Sequence, residues 1–493
     1  MRKLIKMAVF LAASMFWTIA VADTLKLGAP FSDHMVLQCD KPVVIWGSAD
    51  SGSAVTVTLG TESLECKTAE NGKWKASLSA REASFSPVVL RVSTGTQEKI
   101  CSDILVGAVW YCSGQSNMGR RLKDTTDAKI YAAQANLPHV RFAEIPIISK
   151  SEPQDMVETS WKIWTPDSVL ALSGTAFHFG KKLAEEINKP IGLISCSWGG
   201  SKIQAWIPRE YFEKDPAYTA GMNRLEQSAA KYASDLNLWE ANGSKGEAPK
   251  DDSLNPKVIP CGMDNGMTHP LLPYAIRGAI WYQGESDAGM VDEYRTLFAS
   301  LVASWRDRWN DPKLPVYYVQ LPNFIKPPPS WAPFRQMQLE LLDTIPNIGM
   351  AVTIDIGNPN DIHPSNKYDV GQRLARQALY NTYGRKDIGP SGPLPGKAVR
   401  NSGNRVVLSW KWSGAGLKTS DGKSELLSFK LAGPDGVFHP AEAKISSVDT
   451  VEISCPAVAN PVQIQYAYDV NPAVNLINSD NLPASPCVLR IEN

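Results

Sequence analysis

Between residues 104 and 384 short apolar runs alternate with amphipathic stretches, and no other feature constrains the fold of this chain as strongly. Residues 104–112, 191–197, 276–282, 316–321 and 347–356 are rich in Val, Ile, Leu and aromatic side chains and are short, so they read as buried strands. Residues 175–187, 292–309 and 369–380 place apolar side chains at helical spacing. Strands apolar on both faces and separated by helices predict the α/β class, a mostly parallel sheet with helices on both faces. Such sheets present their ligand sites at the carboxyl ends of the strands. The polar turns that follow the runs are therefore where chemistry is expected.

The flanks read differently. Residues 23–103 hold β-branched runs such as Val43–Gly47 and Ala54–Leu59, broken by Ser51-Gly52, Asn71-Gly72 and Ser93-Thr94-Gly95. Short strands bounded by turn formers predict an N-terminal β-sandwich-like domain. A Gly/Pro cluster from Gly389 to Gly396 marks a linker or boundary, and 385–493 reads as a second β-rich domain. The middle region, 104–384, contains a polar insertion at about 208–260, expected to hold a surface helix and an exposed loop over 246–252. Lys326-Pro327-Pro328-Pro329-Ser330-Trp331 reads as a stiff connector.

The first residues predict an export signal. A basic Met1–Lys6 segment precedes an apolar stretch too short to span a membrane, then Ala20-Val21-Ala22, a small-residue cleavage site. Cleavage after residue 22 would leave a secreted or periplasmic protein without a membrane span. Lys plus Arg and Asp plus Glu are both 50, so the zero net charge offers no field for nucleic acid or anionic lipid. The 15 Trp residues favour sugar contact weakly, since indole stacks on apolar sugar faces. Eight scattered cysteines form no Cys-x-x-Cys pair or Cys/His cluster, so no zinc site is expected. Cys112 and Cys196, inside apolar runs, read as buried thiols, and disulfide pairing is not legible.

Four turns carry chemically useful groups. Gly114-Gln115-Ser116-Asn117-Met118 follows the first run. A serine there has its own N–H aimed into the sheet mouth, and a following helix would add positive potential. Ser197-Trp198-Gly199-Gly200-Ser201 offers backbone N–H groups unscreened by Cβ atoms. Gln283 and Glu285, in Trp281-Tyr282-Gln283-Gly284-Glu285-Ser286-Asp287, offer an amide donor and a carboxylate. Of the six histidines, His363 is best placed for a base, after a buried run and before the last helix. Asp361, two residues upstream, can present a carboxylate to its Nδ1. His269 lies in a loop before a run and can line the same mouth. Together these turns make an acyl-transfer site in the order Ser…Asp…His, without the Gly-x-Ser-x-Gly elbow.

These four ordered motifs resemble the sialate O-acetylesterase family of SGNH-type hydrolases, across about 104–384 and more loosely over the flanks. The resemblance implies a flavodoxin-like SGNH fold. It also implies Ser116 as nucleophile, His363 as general base and Asp361 as its orienting acid. The oxyanion hole would be the Ser116 N–H, Gly199 or Gly200, and the Gln283 amide. Gln115, Asn117, Trp198, Glu285 and His269 would contact substrate. The sequence differs from the general SGNH pattern in placing Asp two rather than three residues before His, and Gln283 where Asn is usual. The reaction implied is removal of O-acetyl groups from carbohydrate by an acetyl-enzyme, with no metal or organic cofactor. O-acetylated sialic acid is the implied substrate, and acetylated xylan or xyloglucan the alternative. A sialate would want a cation, for which Arg120, Arg121, Lys202 and Arg335 are candidates. A sugar-binding protein with an inactive centre is the alternative of a different class.

Overall fold

The computed structural model describes residues 24–213, 216–250, 255–401 and 405–492. The expected export signal at 1–22 and part of the 246–252 loop lie outside the described residues.

The architecture is organised by one long strand, β1 (Glu98–Gly114). Its first half pairs antiparallel with Ser84–Ser93, and its second half lies in the centre of a parallel sheet. The strand thus runs unbroken through 103/104, so the N-terminal β region and the parallel sheet share it. Local runs of apolar residues could not reveal this, because both halves read as strand.

Beyond β1 the sheet strands are β2 (Val140–Glu144), β3 (Trp161–Ile163), β4 (Ile191–Ser197), β5 (Gly278–Tyr282), β6 (Val316–Val319) and β7 (Ile348–Ala351). Their order across the sheet is β3-β2-β4-β1-β5-β6-β7. Every neighbouring pair is parallel except β2 and β3. The connections reverse direction at β1, so a crevice opens beyond the carboxyl ends of β1 and its neighbours. The run 347–356 is strand only over Ile348–Ala351. Beyond it the Val352 carbonyl accepts the Arg373 guanidinium at 2.7 Å instead of a ladder bond, which releases the chain toward the crevice.

Among the described residues four helices cover the sheet: α1 (Gly174–Glu186), α2 (Val291–Arg308), α3 (Trp331–Thr344) and α4 (Tyr368–Asn381). Successive residues of β1 alternate between them, because side chains along a strand point to opposite faces. Trp110 and Cys112 join Phe177, Phe179 and Leu374 of α1 and α4 in one apolar cluster. Val109 and Tyr111 join Phe298, Trp305 and Phe334 of α2 and α3 in another. Cys112 and Cys196 are buried thiols within these layers.

The flanking regions pack onto this core. Strands Ala54–Leu59 and Lys73–Leu78 bury every second side chain, including Val57 and Trp74, and Val43–Ser48 buries Val43 and Ile45. An eight-stranded, largely antiparallel sheet includes Leu394–Arg400 and Cys487–Glu492. It is tied to α3 by Arg335, whose guanidinium donates to the Asp469 and Val470 carbonyls. The Gly/Pro cluster, read as a linker or boundary, is packed: Ser391 is buried and Ser485 N–H donates to the Pro393 carbonyl. Within the polar insertion a helix runs over Pro216–Ala241. Among the described residues no helix is long and apolar enough to cross a membrane.

Candidate active site

All four turns converge at the carboxyl end of the parallel sheet. Gly114 makes that convergence possible. Its φ is +142°, and a Cβ there would sit 2.2 Å from the Tyr282 carbonyl oxygen, so any side chain would push β1 and β5 apart. Gln115 N–H donates to the same Tyr282 oxygen at 2.9 Å, and Trp198 N–H donates to the Gly114 carbonyl at 3.1 Å. The turns after β1, β4 and β5 are thereby knitted together by backbone bonds.

Ser116 opens a single helical turn, Ser116–Gly119. So short a helix carries little macrodipole, which corrects the expectation of a helix field at the serine. Ser116 Oγ lies 2.8 Å from His363 Nε2, a hydrogen bond that joins residues distant in the chain. Partial burial disfavours the imidazolium, and Lys367 and Arg120 repel it, so the His363 pKa sits below the ordinary value despite the opposing pull of Asp361. A neutral imidazole bonded to a serine hydroxyl is equipped to accept its proton.

Asp361 lies differently from the expectation. Its Oδ1 accepts the backbone N–H of His363 at 2.8 Å, while His363 Nδ1 is 3.9 Å away. That separation is an ion-pair distance, not a hydrogen bond. The two-residue spacing is the reason: it closes a tight turn that hands the carboxylate to the backbone donor rather than to the ring.

The oxyanion donors also sort differently. A Cβ on Gly199 would meet Ser116 Cβ at 3.3 Å, so this glycine backs directly onto the serine. Gly200, with φ +76°, is exposed and lies against Lys257 instead. Gln283 is fully buried and its Nε2 donates to the Ser201 carbonyl at 3.1 Å and to Asp287. The same Asp287 carboxylate accepts Ile203 N–H at 2.9 Å, and burial pushes its pKa up to about 6. Gln283 thus braces the glycine turn from beneath, with its amide donor already taken. The amide beside Ser116 is that of Gln115, whose Nε2 is 3.5 Å from Ser116 Oγ while its Oε1 accepts Ser286 N–H at 3.3 Å.

Several expected substrate contacts have partners within the protein. Asn117 is fully buried: its Nδ2 donates to Glu285 and to the Ile362 carbonyl, and its Oδ1 accepts from Lys367. Glu285 faces this network, and burial raises its pKa. Trp198 packs against the core. His269 is drawn into a separate cluster, with Nδ1 3.0 Å from the Arg308 guanidinium that also binds Asp264 at 2.6 Å. Arg335 is buried in the C-terminal contact and Lys202 Nζ lies 3.6 Å from Met290 Sδ. Long polar side chains in a loop reach many partners, and tertiary contacts rather than loop position choose among them.

What remains open above Ser116 and His363 is a cleft of about 780 Å³. Gly199, Ser197, Arg120, Arg121, Lys123, Asp124, Glu144 and Ile147 line it. Arg120 and Arg121 are the two proposed cations that reach this space. Among the described residues no group of three or more His, Cys, Asp or Glu side chains is placed to share a metal ion. The residue that sequence reasoning missed is Lys367, fully buried and bonded to Asn117 beside Ser116. Its signal was present: it caps the N-terminus of α4, where the helix dipole disfavours a cation.

Comparison with known proteins places the chain among carbohydrate esterases. The family model described as carbohydrate esterase, sialic acid-specific acetylesterase, matches residues 106–247 and 264–380. A sialate O-acetylesterase from Mus musculus is 27% identical over 94% of this chain and 93% of its own. One from Homo sapiens is 29% identical over 74% and 72%. The crystal structure of a carbohydrate acetylesterase from Xanthomonas citri superposes with a TM-score of 0.82 at 34% identity, covering 94% of this chain and 99% of that one.

Proposed function

We propose that this chain, which belongs to the sialic acid-specific acetylesterase family of carbohydrate esterases and is an ester hydrolase, removes O-acetyl groups from sialic acids through Ser116 and His363. The observation that carries the serine mechanism is the 2.8 Å bond between Ser116 Oγ and His363 Nε2 at the floor of an open cleft. His363 Nε2 takes the Ser116 proton as Oγ attacks the acetyl carbonyl carbon. The resulting oxyanion is held by the Ser116 N–H, the Gly199 N–H and Gln115 Nε2. Collapse expels the sugar oxygen, which takes the proton back from His363. Water, deprotonated by His363, then releases acetate from the acetylated serine.

The sialate part of this reading draws on the family description and on the relatives' names, together with Arg120 and Arg121 at the cleft as partners for a sugar carboxylate. The catalytic unit is read as an SGNH-type region over 104–384 between two β-rich regions. Residues 1–22 are read as a cleaved signal, so the enzyme works on glycans outside the cytoplasm.

Turnover of an aryl acetate by wild type, Ser116→Ala and His363→Ala tests the mechanism. Both variants are expected to be inactive, and equal turnover by Ser116→Ala refutes a serine nucleophile. Acetate release from O-acetylated sialic acids should exceed that from acetylated xylo-oligosaccharides, and the reverse order refutes the sialate assignment.

A further inference from the structure

A general base must be held still, and His363 is not held by a carboxylate on its ring. Asp361 bonds its backbone N–H and stays 3.9 Å from Nδ1. The loop is gripped on the backbone instead, on both sides of the histidine. The Ile362 carbonyl accepts from Asn117 Nδ2 at 2.9 Å. The Pro364 carbonyl accepts from Lys367 Nζ at 2.8 Å. The two donors are themselves joined, because Lys367 Nζ also donates to Asn117 Oδ1 at 2.6 Å. Asn117 follows Ser116 directly, so the clamp connects the base loop to the nucleophile turn with no intervening flexible segment.

The clamp is expensive to build, which argues against an incidental contact. Lys367 is 1% exposed and sits at a helix N-terminus, both unfavourable for an ammonium. Several groups offset that cost. Asn117 Oδ1 and the Pro364 carbonyl accept from it, the Tyr282 ring lies 5.3 Å from Nζ, and the Glu285 carboxyl nearby favours the ammonium electrostatically. A neutral side chain of the same length would pack there without any of these provisions. The ammonium grips a carbonyl and an amide oxygen together and keeps one hydrogen to spare, while burial lowers its pKa to about 7.

We propose that Lys367, acting through Asn117, is the positioning residue that fixes His363 against Ser116. The inference rests on the reading of Ser116 and His363 as the reacting pair. Lys367 is buried and does not line the cleft, so its effect is on geometry and on the local field. The charged groups around the pair are Arg120 from the nucleophile turn, Glu285 from the turn after β5, and Asp361 and Lys367 from the base loop. Lys367 and Arg120 both repel protonated His363.

The test is steady-state hydrolysis of 4-nitrophenyl acetate across pH by the full chain and three variants, with circular dichroism to check folding. Lys367→Met is expected to lose about 100-fold in kcat, the cost of roughly an ångström of misplacement, with KM little changed. Its acid limb in kcat/KM should move to higher pH, because a repelling charge has gone. Lys367→Arg keeps the charge and should leave that limb in place. Wild-type kcat and an unmoved limb in a folded Lys367→Met refute the clamp. Should Lys367→Met fail to fold, Asn117→Ser decides: a loss in kcat alone supports the clamp and wild-type kcat refutes it. Activity retained in Ser116→Ala and His363→Ala would instead remove the reading beneath it. Inactivity of those two beside an unaffected Lys367→Met removes the clamp only.

Discussion

Replacing Asp361 by asparagine separates two ways of orienting a catalytic histidine. In a triad whose buried carboxylate is hydrogen-bonded to the imidazole, the same change costs about 10⁴-fold in kcat by stabilising the wrong tautomer. The geometry here predicts far less. The amide side chain would still present Oδ1 to the His363 N–H, so the 2.8 Å bond that shapes the turn survives. What disappears is a charge 3.9 Å from Nδ1, between side chains 45% and 37% exposed. Coulomb's law at that separation gives about 1 kcal/mol in water and about 4 kcal/mol at an effective dielectric of about 20. Exposure of this order favours the lower end, about 1–2 kcal/mol, or roughly 5- to 30-fold in kcat. The acid limb should also fall to lower pH, because Asp361 raises the His363 pKa and a neutral amide does not. Aryl acetate kinetics across the acid limb, wild type beside Asp361→Asn, measure both. A loss of about 10³-fold or more would refute the reasoning and mean that the carboxylate bonds Nδ1 directly in the reacting enzyme.

Two further changes test the scaffold. Gly114→Ala should cost about 2–6 kcal/mol, because the new Cβ strikes the Tyr282 backbone in a conformation only glycine adopts readily. Urea denaturation reads the loss, and a cost near zero would show that β1 and β5 can separate freely. His178 is buried among Tyr131, Phe177 and Tyr368 with neither ring nitrogen bonded, and burial pushes its pKa down to about 3. The unfolded chain therefore binds this proton first, so the stability tied to His178 is full above about pH 6.5 and is lost as pH falls toward 3. Between about pH 7 and about pH 5 this amounts to about 2 kcal/mol, which His178→Phe should abolish. Denaturation midpoints with the same acid dependence in variant and wild type would assign the acid sensitivity elsewhere.

Much of this protein is written locally. Buried strands announce themselves as apolar runs, and the turns after them must hold the site once the sheet is parallel. Ser116 and His363 were therefore legible: each stands in the turn that leaves a buried run, and burial of the runs forces those turns together. Gly199 followed from the same logic, since a backbone N–H needs only a close turn. The choice among partners was not local. Gln115 and Gln283 both offer amides at neighbouring strand ends, and only the packing of Asp287 beneath the glycine turn assigns Gln283 to bracing and leaves Gln115 beside the serine. Asp361 differs from a ring-bonded acid by about an ångström, which depends on how the turn closes rather than on which residues compose it. Lys367 became significant only when a carbonyl before His363, a carbonyl after it and an amide from the first strand end proved to lie within reach of one buried pair. Sequence determines which groups arrive at the mouth of a parallel sheet, because periodicity and burial are properties of short stretches. Tertiary structure decides which of them meet, because hydrogen bonds join side chains across strands whose spacing no single stretch contains.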